Sequence, residues 1–251
     1  MNKKYIFRRI VGAVSHSNFR RIEECATLIR WLDSQNGERI LDIGCGDGYY
    51  DMIIAQPGAR VVGIDIKEKP LAKAQRHYHG EQFEFLYMNA EEMSFNDASF
   101  DKVVSFCVIE HLNHDDRAMQ HIARVLKPGG SFVFSADSLS NPGIAAGERA
   151  RHKQRYAVNT FYTVEYLQEK LARAGFAIEE TRYILASPYA LALARFSWKL
   201  DVLPRALGII RALGYLSLWF IWKMTPPFSN KPDASRGGLT LLVRAKKKTA
   251  S

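Results

Sequence analysis

Asp42-Ile43-Gly44-Cys45-Gly46-Asp47-Gly48 follows a short apolar run, Arg39 to Ile43, and precedes a stretch of helical character. Glycines at this spacing let the backbone turn tightly and pass close to a ligand. The helix N-terminus that follows offers free N–H groups and a positive dipole to a carboxylate or phosphate. A dinucleotide fingerprint needs G-x-G-x-x-G. Counted from Gly44, the third glycine falls one position early, at Gly48, and Tyr49 holds the expected place. A nicotinamide dinucleotide is therefore disfavoured.

Working outward, apolar runs alternate with helical patterns. Strands are expected at Arg39 to Ile43, Arg60 to Ile64, Phe83 to Met88, Asp101 to Phe106 and Ser131 to Ser135, then at Phe176 to Leu185 and Gly238 to Ala245. Helices are expected over Asp115 to Leu126, stopped by Pro128-Gly129-Gly130, and over Thr163 to Ala174, stopped by Gly175. Strands alternating with helices predict a parallel sheet in a doubly wound α/β fold.

Further landmarks follow the glycine loop in order: Gly63-Ile64-Asp65, Asn89 to Phe95, Ser99 to Ser105, Val108-Ile109-Glu110-His111-Leu112, and Arg124 to Gly130. Together with D-x-G-x-G-x-G they resemble the class I S-adenosylmethionine-dependent methyltransferases of small molecules and lipids, the ubiquinone-pathway enzymes among them. The resemblance spans roughly residues 35–185. It implies a Rossmann-like, mainly parallel seven-stranded sheet with an antiparallel last strand, and S-adenosyl-L-methionine as cofactor. Asp42, Gly44, Cys45, Gly46, Asp65, Ile66, Asn89, Ala90, Glu91 and Phe106 are then expected to bind it. Asp65 can accept from both ribose hydroxyls, as acids at this strand end do in dinucleotide sites. Asn89 stands where the family usually has an aspartate, and its side-chain carbonyl can still accept from the adenine amino group.

Methyl transfer from a sulfonium is an in-line displacement, which needs alignment and exclusion of water. A base helps only where the nucleophile holds a proton. His111 and Asp137 are the candidate catalytic residues, with Glu110 and His114 nearby. His152, Tyr156 and Tyr162 fall in a segment expected to form a lid. The ubiquinone-pathway enzymes show Glu-x-x-Glu-His; here Cys107 holds the first position, and Glu110 with His111 alone make a poor metal site, so no metal is expected. The Asn/Asp-Pro-Pro-Tyr/Phe string of base-methylating enzymes is absent after the fourth strand, where Ser105-Phe106-Cys107-Val108 stands instead. Pro226-Pro227-Phe228 lies elsewhere and carries no such meaning.

Composition narrows the setting. The 251 residues are 47% hydrophobic and 24% charged, ordinary globular values, which exclude a disordered or disulfide-stapled chain. Cys25, Cys45 and Cys107 are isolated and fit a reducing compartment. A net charge of +9 favours anionic partners. Residues 1–22 carry Lys3, Lys4, Arg8, Arg9, Arg20 and Arg21 and no acid, with Ile6, Phe7, Ile10, Val11 and Val14 on one helical face. Such a stretch suits an anionic bilayer, resembles a mitochondrial presequence, or packs on its own domain. It is not a signal peptide, because Arg8 and Arg9 interrupt the apolar run. The longest uncharged run in the Trp-rich part, Ala212 to Trp222, is too short to span a membrane.

Three parts are therefore expected: a basic N-terminal helix region, 1–30; a cofactor-binding domain, 31–185 plus 237–248; and an apolar insertion, 186–236, with Trp198, Trp219, Trp222 and seven Lys or Arg against two acids. These features predict a methyltransferase acting on a small-molecule or lipid-linked acceptor. It would be cytoplasmic and peripheral on an anionic membrane surface, with nucleic acid disfavoured as a partner for want of a recognisable module. The alternatives are a soluble-metabolite enzyme whose insertion is a substrate lid or dimer face, and a non-catalytic cofactor-binding protein.

Overall fold

The computed structural model describes residues 19–225 and 237–249. The basic stretch before residue 19 and Pro226-Pro227-Phe228 lie outside the described residues. The strands are β1 (Arg39–Ile43), β2 (Arg60–Asp65), β3 (Phe83–Tyr87), β4 (Phe100–Phe106), β5 (Leu126–Asp137), β6 (Phe176–Ile184) and β7 (Thr240–Lys247). The helices are α1 (Phe19–Leu32), α2 (Tyr49–Ile54), α3 (Glu68–His77), α4 (Asp115–Val125), α5 (Ala146–Tyr156), α6 (Val164–Arg173), α7 (Pro188–Asp201) and α8 (Gly208–Met224). The sheet runs β3-β2-β1-β4-β5-β7-β6. Its first five strands are parallel, and β7 is antiparallel to both β5 and β6. This is the Rossmann-like seven-stranded sheet expected from the sequence.

Period-two alternation splits each strand between two cores. Leu41 and Ile43 of β1 join Val62, Ile64, Val103 and Phe132 on one face, under α4 and α6. Ile40 joins Val61, Val104, Val133 and Leu242 on the other, under α1, α7 and α8. Helix α4 buries Ala118, Met119, Ile122 and Val125, one stripe at helical spacing. Helix α1 runs past residue 30 as one piece, burying Phe19, Leu28, Trp31 and Leu32. Between β6 and β7, α7 and α8 pack on each other and on α1, with the rings of Phe19 and Trp222 5.3 Å apart.

The largest boundary difference from the sequence reading is at the start of β5, and β7 runs two residues later than expected. Strand β5 begins at Leu126, paired with Phe100, and not at Ser131. The register then jumps to Lys102 against Ser131, so Lys127-Pro128-Gly129-Gly130 is a bulge inside the strand. Proline cannot donate to the ladder, and Gly129 takes φ +72°. The Lys127 ammonium anchors the bulge on Asp101 at 2.6 Å. The turn residues thus deform the strand without delaying its start.

Gly63 on β2 sets how closely the glycine loop can lie on the sheet. A Cβ there would stand 2.8 Å from the Cβ and Sγ of Cys45 and 2.8 Å from the ring of Phe85. Gly63→Ala is expected to cost about 1–3 kcal/mol, as overpacking does, and to lower the thermal midpoint by about 2–4 °C per kcal/mol. Calorimetry measures this directly, and an unchanged midpoint would show that the loop has room to retreat.

Candidate functional site

Strand order reverses between β1, which leads to β2 on one side, and β4 on the other. Loops leaving the C-terminal ends of these strands diverge and open a crevice, the usual ligand site of such sheets. The glycine loop fills its floor. Gly44, Gly46 and Gly48 take φ of +76°, +59° and +78°, a region L side chains rarely adopt. A Cβ on Gly44 would fall 2.3 Å from Val108, so the loop can lie against the β4 exit only with glycine there. A Cβ on Gly46 meets nothing within 4 Å, because this part of the loop faces open space. The N–H groups of Gly44 and Cys45 both donate to the Ile64 carbonyl, at 2.8 and 3.1 Å.

Asp65 ends β2 and braces the loop. Its Oδ2 accepts from Gly46 N at 2.9 Å and its Oδ1 from Lys67 N at 2.7 Å. Each oxygen keeps lone pairs for a further donor. Ile66 beside it is 58% exposed on the rim. Asn89 caps a single 3₁₀ turn, its Oδ1 accepting from Glu91 N at 3.0 Å. Ala90 is buried, and the buried Glu91 accepts from the N–H groups of Asn113 and His114 at 2.7 and 3.1 Å. Glu91 thereby ties the β3 exit to the β4 exit, and His114 is an exposed residue preceding α4. Phe106 is buried and stacked on Tyr50 at 4.8 Å. Asp42 is buried beneath the loop beside Asp51 of α2. Burial raises the carboxyl pKa of both, Asp51 to about 7, and the neighbouring Asp51 carboxyl adds to the rise at Asp42. Cys45 is buried against the same carboxyls, which with burial push its thiol up.

Beyond Phe106 lies a cavity of about 160 Å³. Cys107, Glu110 and His111 line it from the β4 exit, Asp137 and Leu139 from the β5 exit, His152 and Tyr156 from α5, Leu185 and Trp198 from α7 and the turn before it. Helix α1 adds Arg20, Arg21 and Glu24, and the start of β7 adds Leu239 and Thr240. Glu24 is a buried hub: it accepts from Arg21 at 2.8 Å, the Ser135 hydroxyl at 2.6 Å and the Cys107 thiol at 3.3 Å. Asp137 accepts from His152 Nε2 at 2.8 Å, and its backbone N–H donates to Glu110 Oε1 at 3.2 Å. Burial, then the Asp137 charge, raises the Glu110 carboxyl well above the usual range. Asp201 accepts from Tyr156 at 2.5 Å, from Arg20 at 3.2 Å and from Tyr215.

Cys107, Glu110 and Asp137 bring one thiol and two carboxylates within 4.8 Å of one another. Burial pushes the Cys107 thiol and the Glu110 carboxyl up, and a metal ion would bind their deprotonated forms. His111 stands at the rim, exposed, its Nδ1 3.1 Å from the Ala157 carbonyl. Tyr162 is not in a lid: it is fully buried in the α4–α6 core and donates to Asp115. The fold adds Arg20, Arg21, Glu24 and Trp198, which sequence reading did not place in a site. Glu24 had a signal, since it shares the apolar face of α1 with Leu28 and Trp31 at i+4 and i+7.

Comparison with known proteins agrees with this geometry. Residues 41–134 match the family described as "Methyltransferase domain". A protein of Mycolicibacterium smegmatis named as a probable S-adenosylmethionine-dependent methyltransferase is 34% identical over 151 residues, 58% of this chain and 54% of that protein. The ubiquinone biosynthesis O-methyltransferase of Dechloromonas aromatica is 34% identical over 134 residues, 51% of this chain and 57% of that one. The chain spans a little over half the length of these curated relatives. An S-adenosylmethionine-dependent methyltransferase from Mesorhizobium loti shares the fold at TM-score 0.63 and 21% identity, covering 88% of this chain and 96% of its own. Phosphoethanolamine N-methyltransferase 2 of Haemonchus contortus, solved with S-adenosyl-L-methionine, does so at TM-score 0.68 and 22% identity, covering 91% and 53%. The glycine loop and the strand-end aspartate both lie within residues 41–134, the segment that matches the methyltransferase domain family.

Proposed function

We propose that this protein transfers a methyl group from S-adenosyl-L-methionine to a small-molecule acceptor carried on a lipid, working at an anionic membrane surface. The single observation that carries the acceptor half is the cavity at the β4 and β5 exits, whose wall is completed by α1 and α7, the two helices on which α8 packs.

The crevice fits the cofactor on its own geometry. Gly46 presents bare backbone to open space, and Asp65 offers both oxygens at a strand end. Asp65 would take the ribose hydroxyls, Gly44 and Gly46 would pass the methionine and ribose part, and Asn89, Ala90 and Ile66 would frame the adenine. The cofactor supplies a methyl carbon made electrophilic by its sulfonium. The chain's own task is to align an acceptor atom with that carbon and to exclude water. Leu139, Leu185, Trp198 and Leu239 give the cavity its apolar wall. Asp137 and the rim residue His111 are the polar groups placed to meet the acceptor.

The membrane half rests on α8. Ile210, Leu213, Leu216, Phe220 and Met224 are 54%, 59%, 55%, 58% and 65% exposed, while Leu218 and Trp222 face inward. A helix apolar on its inner and outer faces is unusual at a water-facing surface. Lys223 on the same helix is exposed, a basic side chain suited to anionic headgroups. Phe19, which follows the basic stretch, contacts Trp222 of the same helix. No helix among the described residues is long and apolar enough to cross a membrane.

Two measurements test this reading. Asp65→Ala loses a loop brace and a ribose acceptor, and calorimetry should show cofactor affinity on the order of 10²-fold weaker, the worth of two charge-assisted hydrogen bonds. Unchanged affinity would remove the cofactor assignment. In co-sedimentation, the protein should bind vesicles containing phosphatidylglycerol at low salt and bind them less at high salt, where exposed charges are screened. Leu213→Glu with Phe220→Glu should abolish that binding, and full binding by the double variant would refute the docking face.

A further inference from the structure

We propose that Asp137 is the catalytic proton acceptor of the cavity and that His152 is its positioning residue, so that the methyl acceptor enters as a protonated X–H group. The inference rests on the methyltransferase reading above and gives its acceptor site a chemistry.

Asp137 lies at the C-terminal end of β5, beside the β4 exit that flanks the glycine loop. Its side chain is 19% exposed within the cavity wall, whereas that of His152 is 6% exposed and stands behind it. The 2.8 Å contact between His152 Nε2 and Asp137 Oδ2 places the ring proton on Nε2. Three aromatic rings fix the imidazole: Tyr156, Phe161 and Trp198, with centroids 4.5, 6.2 and 5.3 Å away. Asp137 thus has one oxygen held by a rigid donor and the other left for the cavity.

The cavity wall is also short of polar partners. Glu110 Oε2, His152 Nδ1 and Trp198 Nε1 are buried and have no hydrogen-bond partner in the protein. Unpaired buried groups are rare in native folds because each costs free energy. Three among the residues that line one cavity mark a place where a polar ligand completes the structure. Glu110 and Asp137 differ in kind: the side chain of Glu110 is 1% exposed, whereas that of Asp137 is 19% exposed and open to the cavity.

The step balances without a further reactant. As the acceptor heteroatom forms its bond to the methyl carbon, the carbon–sulfur bond breaks and its electron pair stays on sulfur. The proton of the heteroatom passes to Asp137 Oδ1, and His152 steadies the carboxylate through Nε2–H until that moment.

The test uses the full chain and two probe series, octyl-tailed phenols of graded acidity and octyl-tailed amines of graded basicity. Calorimetry with S-adenosylhomocysteine comes first; failure of the wild type to bind would overturn the methyltransferase reading itself. With binding intact, Asp137→Asn should bind S-adenosylhomocysteine as the wild type does. It should lose on the order of 10²-fold or more in kcat, with the loss shrinking for phenols already ionised at the assay pH. His152→Phe should lower kcat while His152→Gln, which keeps an N–H donor, recovers most of it. Whichever series the wild type methylates identifies the heteroatom. A ¹⁵N spectrum should independently show His152 protonated at Nε2 and shifted by Asp137→Asn. Equal losses for acidic and weakly acidic probes, no loss in Asp137→Asn, absence of wild-type turnover on both series, or an Nδ1-protonated His152 would each overturn the proposal.

Discussion

The structure depends on one constraint, that the loop after β1 must lie close against the C-terminal ends of β2 and β4 with its backbone turned outward. Three conditions meet to satisfy it. Gly44 must lack a Cβ because Val108 occupies that space, Gly63 must lack one because Cys45 does, and Gly46 must adopt a positive φ. Asp65 then fixes the loop from the next strand by taking the Gly46 N–H. The same carboxylate is therefore both part of the fold and the expected contact for ribose. Beneath the loop, Asp42 and Asp51 lie side by side in the core, and burial raises the pKa of both carboxyls.

The second half of the site is held by a different device. Helix α1 places Glu24 in the core, where a lone carboxylate would be costly. Arg21, Ser135 and Cys107 all donate to it, and the Cys107 backbone N–H donates in turn to Ser135 at 2.9 Å. This chain of contacts ties α1 to the ends of β4 and β5. Cys107 needs such support, since it takes φ +50°, a strained value for a side chain that is not glycine. The kink it makes separates the Phe106 side, which stacks on Tyr50, from the Glu110 side, which lines the cavity.

These two halves differ in how far the sequence revealed them. The glycine loop, Asp65 and the strand alternation are local, because each is written in a few adjacent residues. The sheet order and the antiparallel β7 followed from the family pattern, as periodicity alone does not order strands. The cavity was legible only in part. Asp137 and Glu110 stand at strand ends and could be read, but Glu24, His152 and Trp198 reach the cavity from helices 83, 45 and 91 residues away from Cys107 in either direction along the chain. Tyr162 was read as part of a lid because it follows α5, yet its ring fills the opposite core, since tyrosine can bury its body wherever its hydroxyl finds a partner such as Asp115. The bulge in β5 was read as a stop because Pro-Gly-Gly ends helices far more often than it interrupts a strand.

The helical layer connects the outer surface to the cavity through one carboxylate. Asp201, at the end of α7, accepts from Arg20 of α1, Tyr156 of α5 and Tyr215 of α8. Arg20 and Tyr156 are cavity residues, while Tyr215 belongs to the helix whose outer face is apolar. Gly214 lets α8 approach α7 closely, for a Cβ there would meet Leu200 at 2.7 Å. Whatever covers Ile210, Leu213 and Phe220 therefore presses on a helix that shares an anchor with the cavity wall. Burying that face would remove its exposed apolar area from water at about 25 cal/mol per Å², and the energy would act on α8 as a whole rather than on isolated side chains. In the proposed function, the tail of a lipid-linked acceptor would share the apolar medium proposed for the outer face of α8, and Arg20 and Tyr156 link the cavity to that helix through Asp201.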